Sequence, residues 1–164
     1  MIELTVKELS QLYWLNREVE LCKKRLAALE VELKADCAEL ERLRASLDGL
    51  HSMNTDGMPH GSGVGNPVES TVMQIMALEE ALRGKHDALM NLKALISARQ
   101  TVIVLERDRL ERYISAIGDP YMRQIFTLRF VDGLSWQQVA VGIGRQESAE
   151  STKQICYRYL RKHC

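Results

Sequence analysis

Apolar residues return every seven positions through the first third of the chain: Leu12, Val19, Leu26, Leu33, Leu40 and Leu47. A companion track runs three residues behind: Leu15, Cys22, Leu29, Asp36, Leu43 and Leu50. Two tracks offset in this way are the a and d positions of a coiled coil. Thr5-Val6-Lys7-Glu8 reads as a capping box that starts the helix, with Leu4 and Leu9 as its hydrophobic staple. From Leu12 to Leu50 the rod would span about 58 Å at about 1.5 Å per residue. Such a rod needs a partner over its apolar stripe. Glu20 with Lys24 and Glu30 with Lys34 are spaced as i,i+4 pairs on the wet face, worth a few tenths of a kcal/mol each. Asp36 interrupts the d track. It is either a buried polar residue that fixes register or a place where the seam opens to water; the cost of an unpaired buried carboxylate favours the second.

A second repeat begins at Asn66-Pro67-Val68-Glu69, where Asn is the cap, Pro takes the first helical position and Glu the third. It runs Val68, Ile75, Leu82, Leu89, Ile96, Ile103, Leu110 and Ile117. Its companion track is mixed: Leu78 and Leu92 are apolar, whereas Lys85, Arg99 and Glu106 are charged. Val72, Met76, Met90, Leu95, Val102 and Leu105 widen the stripe, which points to contact with more than one helix. Gly84 marks a bend or a close helix crossing, at about 1 kcal/mol relative to Ala. Between the rods, residues 51–66 hold four Gly and one Pro and read as a flexible reversal. His51, Asp56 and His60 lie there, but their spacing matches no metal-ligand pattern. Two arrangements fit: an antiparallel hairpin that pairs with a second copy, or a parallel dimer through one rod with the other packed outside.

The pattern changes after Ile117. Asp119-Pro120 starts a short helix carrying Ile125, Leu128 and Val131, and Asp132-Gly133 stops it. Ser135-Trp136-Gln137-Gln138 is a capping box that opens a helix with Val139, Ala140 and Ile143 as its stripe. Gly142 and Gly144 form its exit, one of them in the left-handed conformation. Ala140 is small enough for a close helix crossing. Ser151-Thr152-Lys153-Gln154 reads as a further capping box. The last helix then turns Ile155, Tyr159 and Leu160 inward, and Lys153, Gln154, Tyr157, Arg158, Arg161 and Lys162 outward. The expected fold is all-α. Coiled-coil helix 1–50, loop 51–66 and second long helix 67–117 precede a three-helix unit at 118–164.

A short helix, a Gly turn and a basic second helix is the helix-turn-helix pattern, although an ordinary three-helix bundle with a solvated basic face also fits. Charge adds to the first reading. The chain is formally neutral, with 22 Lys/Arg and 22 Asp/Glu. From Arg112 onward there are eight Lys/Arg against four Asp/Glu, which leaves 14 basic and 18 acidic residues before it. A basic end on an acidic body is the footprint of a duplex-reading module. Lys153, Arg158, Arg161 and Lys162 are placed for phosphates. Ser151, Thr152, Gln154 and Tyr157, near the start of the last helix, are placed for base edges. Ser135, Gln137 and Gln138 begin the preceding helix, whose N-terminal amides can hold a phosphate. Arg145 and Gln146 add a groove contact from the segment 145–150, which is longer than a usual turn requires.

The stretch RQIFTLRFVDGLSWQQVAVGIG resembles the region-4-type helix-turn-helix of sigma factors, and more closely the small phage regulators of the ArpU/RinA type. Arg123, Arg129 and Phe130, then Gly133, Ser135 and Trp136, and finally Tyr159 and Leu160 carry the resemblance. It covers the last third of the chain well and extends more weakly back to Asn66-Pro67. It implies a phage-encoded, sequence-specific transcription regulator in the bacterial host's cytoplasm, bound to double-stranded DNA, with RNA polymerase as a candidate partner. A homo-oligomer, most simply a homodimer, through the coiled coil fits the repeats. Two further readings are a coiled-coil adaptor that docks another protein and a small DNA-packaging subunit.

Little else in the sequence suggests chemistry. Cys22, Cys37, Cys156 and Cys164 form no C-x-x-C, so neither a disulfide framework nor a zinc site is expected. There is no Gly-rich phosphate loop, and no His stands beside a Ser or Cys nucleophile. No catalytic residue, cofactor or metal is expected, and neither a signal peptide nor a membrane span.

Overall fold

The computed structural model describes residues 5–52, 66–144 and 147–163. Among the described residues the chain is all-helical. The elements are α1 (Val6–Leu9), α2 (Gln11–Ser52), α3 (Pro67–Ser115), α4 (Pro120–Phe126) with a π-helical turn Thr127–Val131, α5 (Trp136–Ile143) and α6 (Ala149–His163). Packing divides them into a terminal unit, Met1–Leu21 with Ile96–Cys164, and a central unit, Cys22–Leu95.

The expected helix starts are found. Thr5 caps α1 with Glu8 in a reciprocal box. The Asn66 side chain accepts from the Val68 amide at 3.1 Å. Asp119 accepts from the Tyr121 amide, with Pro120 at the first position of α4. Leu4, the second half of the proposed staple, lies outside the described residues, as do residues 53–65 of the expected loop with Asp56 and His60, whereas His51 belongs to the last turn of α2.

In the central unit the rods run antiparallel. Arg44 pairs with Glu79 at 2.6 Å, Asp36 with Lys85 at 2.6 Å and Glu30 with Lys93 at 3.2 Å, so one partner's number rises as the other's falls. Leu26, Leu29, Leu33, Leu40, Leu43 and Leu47 all face the seam and are half-buried. This corrects two readings. Asp36 marks no open flare: Lys85, at the matching charged position of the second repeat, crosses the seam to meet it, with Glu32 also within 3.3 Å. Hydrogen bonding to Asp36, then to Glu32, raises the Lys85 ammonium above its usual value. Glu30 goes to the other rod, while Lys34 sits one turn away on its own.

Gly84 marks no close helix crossing within the described chain. α3 is continuous through it, and a Cβ there would meet nothing within 4 Å. The residues that widen the α3 stripe do not reach a further helix of this chain: Val72, Met76, Met90, Leu95 and Leu105 are exposed. For the same reason, α3 is long and apolar enough by length and composition to cross a membrane. Its most apolar window has a mean hydropathy of 1.3 and is 17% buried.

In the terminal unit Glu18 pairs with Arg99 at 3.3 Å and Glu8 with Arg109 at 3.4 Å. A closed core follows, built from Leu9, Leu12, Leu110, Ile114, Ile117, Met122, Ile125, Phe126, Phe130, Val139, Cys156 and Leu160. Phe126 is its centre, fully buried, with Phe130 at 5.4 Å, Tyr159 at 5.9 Å and Tyr113 at 6.3 Å between ring centroids. The predicted stripe Ile125, Leu128, Val131 is therefore rotated. Ile125 is buried, but Phe126 and Phe130 take the inward face, and Leu128 and Val131 sit at its edge. Phe126 and Phe130, four residues apart, share that inward face.

Candidate nucleic-acid interface

The residues expected at an interface lie on α5, the turn after it and α6. Ser135 caps α5 as expected: its hydroxyl accepts from the Gln138 amide, and the Gln138 side chain accepts from the Ser135 amide at 2.9 Å. Both side chains are thus engaged within the cap, while Gln137 stands exposed beside them. Val139 and Ala140 are buried. Gly144 is the left-handed exit, at φ 71°. Gly142 instead answers a steric demand, since a Cβ there would lie 3.3 Å from Leu128 Cδ1.

Two arginines of the resemblance build this frame. Arg129 Nη1 donates to the Leu134 carbonyl at 2.6 Å, and its guanidinium lies 5.0 Å from the Trp136 ring centroid. Arg123 Nη1 donates to the Ile117 carbonyl at 2.6 Å and to that of Gly118 at 3.3 Å, closing the end of α3. Gly133, at φ 70°, takes the backbone turn before α5 and lies against Tyr13. Beyond the turn, the Tyr121 hydroxyl donates to Glu147 at 2.7 Å.

Helix α6 starts earlier than expected, at Ala149. Ser148, and not Ser151, provides the cap: its hydroxyl accepts from the Ser151 amide at 3.1 Å, and its carbonyl from the Thr152 amide at 3.0 Å. Part of the long 145–150 segment is thereby helix. The shift rotates the helix face. Thr152, expected at base edges, is 1% exposed and returns its hydroxyl to the Ser148 carbonyl at 3.1 Å. Cys156 and Leu160 complete the inward face, while Ile155 and Tyr159 are only half-buried. Burial pushes the Cys156 thiol up to about 12, the nearby Arg129 opposing it weakly.

Gln154, Arg158, Arg161 and Lys162 are exposed on α6, and Ser151 is half-exposed. Spacings of three, four and seven place Ser151, Gln154, Arg158 and Arg161 on one outward stripe. The other two expected residues are partly occupied. Lys153 reaches Glu150 at 3.7 Å, and the Tyr157 ring lies 6.1 Å from that of Trp136. Arg145 and Gln146 lie outside the described residues. Among the described residues no cluster of His, Cys, Asp and Glu could hold a metal ion.

Of the side chains that fix this arrangement, Phe126, Tyr13, Cys156 and Tyr121 escaped the sequence reading. Tyr13 and Gly133 are far apart in sequence and carry no local signal of their contact. Phe126 lies next to Ile125 on the same short helix, and the spacing of Ile125, Leu128 and Val131 drew the stripe past it. No family model, no curated protein and no solved structure matches the chain.

Proposed function

We propose that the chain is a DNA-binding transcription regulator in which α5, the Gly144 turn and α6 act as a helix-turn-helix and α6 enters the major groove. The observation that carries this reading is the outward stripe of α6. Arg158, Arg161 and Lys162 extend from a helix whose opposite face, Thr152, Cys156 and Leu160, is locked in the core. A rigidly held helix with free cations on its outer side suits phosphate contact, and Gln154 is placed on the same stripe for a base edge. Ser151 is its neighbour there; Thr152 is withdrawn from the set. Gln137 at the start of α5 lies near free N-terminal amides, which favour an adjacent phosphate.

Glu150 stands at the head of α6 and would repel a phosphate placed too close. The reading therefore sets the middle and last turns of α6, not its first, against the backbone. Selection from a random pool of duplexes with the full-length chain tests it. One enriched motif is expected, with preference at a position relaxed by Gln154→Ala. Retention of no duplex at moderate salt would remove the reading.

A second reading has its own support. Ile114, Pro120, Gln124, Leu128 and Gly142 help to line an open groove of about 820 Å³. Val141 nearby on α5 is 81% exposed. An adaptor that docks another protein, such as RNA polymerase, would use that surface. Val141→Glu separates the two: it should leave duplex binding intact, and would abolish activity if docking is the main function.

A further inference from the structure

The leucine seam of the central unit does not by itself choose a partner or a register. The ion pairs Arg44–Glu79, Asp36–Lys85 and Glu30–Lys93 show which layers meet. In that register Leu33, Leu40 and Leu47 of α2 stand level with Leu89, Leu82 and Ile75 of α3. Sliding one rod by seven residues sets aliphatic against aliphatic again, and two copies of α2 side by side would match leucine to leucine. Apolar tracks of this kind accept several partners and several registers.

The charges are more selective. Asp36 interrupts the companion track of α2 and Lys85 that of α3, and they meet at 2.6 Å. Their side chains are 26% and 32% exposed, against 35 to 57% in the pairs Arg44–Glu79 and Glu30–Lys93, so this pair is the most sequestered of the three. A slide by one heptad would set Asp36 against Leu78 or Leu92 and Lys85 against Leu29 or Leu43. It would also part Arg44 from Glu79 and Glu30 from Lys93. Two parallel copies of α2 would bring Asp36 to Asp36, and two of α3 would bring Lys85 to Lys85. The neighbouring pairs carry the same sign: Glu30 and Glu32 of α2 face Lys93 and Lys85 of α3, with Arg44–Glu79 reversed. Parting a sequestered pair strands a charge on each rod, which costs more than the pair's own net contribution.

We infer that Asp36 and Lys85 select the partner of each rod: they make α2 pair with α3, antiparallel and in this one register, and keep either rod from pairing with a copy of itself. The leucines supply the attraction between the rods, and this pair supplies its uniqueness. A lone polar residue in a helical seam specifies register and partner number at a cost in stability. Replacing both charges with leucine should therefore strengthen the seam and loosen its choice. Only residues of the central unit are involved, so the outcome is independent of the DNA reading.

Disulfide trapping in the full-length chain tests this. Cys37 lies midway between Glu30 and Arg44, and His86 midway between Glu79 and Lys93, so the two stand opposite each other on the flank of those pairs, both exposed. Cys156 is buried and stays out of the exchange. With Cys22 and Cys164 changed to Ser, His86→Cys should close a disulfide between positions 37 and 86 in a glutathione buffer at micromolar protein. Adding Asp36→Leu with Lys85→Leu should lower that yield several-fold and join chains through 37–37 and 86–86 links, while the midpoint of thermal unfolding rises. Asp36→Lys alone should lower both yield and midpoint, and Lys85→Asp added to it should recover most of each. An unchanged 37–86 yield in the leucine double variant, without links between chains, would overturn the inference, and with a lowered midpoint would reduce the pair to a stabilising contact. A main product of 37–37 links in the chain that keeps both charges, or no recovery on exchanging them, would overturn it as well.

Discussion

The terminal and central units use the same heptad repeats and reach different results. In the terminal unit, Leu9, Leu12, Leu110, Ile125, Phe126, Val139, Thr152 and Cys156 fall below 2% exposure. In the central unit no described residue does so. The difference is geometric. Two helices share one line of contact, whereas α4, α5 and α6 cross the ends of α2 and α3 within the terminal unit and enclose Phe126. A seven-residue repeat therefore specifies which side chains face inward. It does not specify how dry the inside becomes.

The comparison can be broken most sharply by truncation. Phe126→Ala should cost about 3 to 5 kcal/mol in denaturant unfolding, the usual range for a closed aromatic site. Leu33→Ala, on a half-buried seam, should cost about 1 to 2 kcal/mol, less than the full Leu→Ala range. Equal losses would mean that the two units are equally closed. Next in size is Arg129→Ala. It removes a charged hydrogen bond to the Leu134 carbonyl and the Trp136 contact, and a loss of about 2 kcal/mol is expected in the same measurement. A loss within error would show that the frame before α5 holds without that arginine.

Gly84→Ala should act in the opposite direction and raise the stability by up to about 1 kcal/mol, seen as a higher midpoint of thermal unfolding, since an exposed helical Gly is replaced without a clash. A lower midpoint would contradict the open surroundings of Gly84.

The smallest effects are in pH dependence. The Thr5 amide, then its hydroxyl, with Arg109 adding to them, hold the Glu8 carboxyl below 4.5. A depressed carboxylate stabilises the fold above pH 4.5, and that share is lost as pH falls through its folded value. Lys85 is raised above 10.5 in the central unit. Its share is present below pH 10.5 and is lost as pH rises through the folded value. NMR titration should therefore find the terminal unit's cap failing on the acid side and the central unit's seam pair on the alkaline side. Thr5→Val removes the hydroxyl but keeps the amide, so the Glu8 titration should move up only part of the way; an unchanged titration would contradict the hydroxyl's share.

Much of this architecture can be read from the chain, and the exceptions have identifiable causes. The long helices, their caps at Thr5, Asn66, Asp119 and Ser135, and the left-handed Gly144 follow from local chemistry. Asp36 was misread because its partner, Lys85, stands 49 positions away and neither repeat shows the other's register. The start of α6 was misplaced because Ser148 and Ser151 offer equal capping chemistry. Only the packing of Thr152 and Cys156 into the core decides between them. That choice moved Thr152 inward and left Gln154, Arg158, Arg161 and Lys162 outside.

The outward stripe of α6 can be examined through the salt dependence of duplex binding, measured for the full-length chain and for Arg158→Ala with Arg161→Ala. Each phosphate contact contributes about 0.9 to the slope of log affinity against log salt. The double variant should bind more weakly and with a slope shallower by about 1.8. Because both side chains are exposed, its stability should match that of the wild type. Equal slopes for the two proteins would contradict the claim that these arginines meet the DNA backbone.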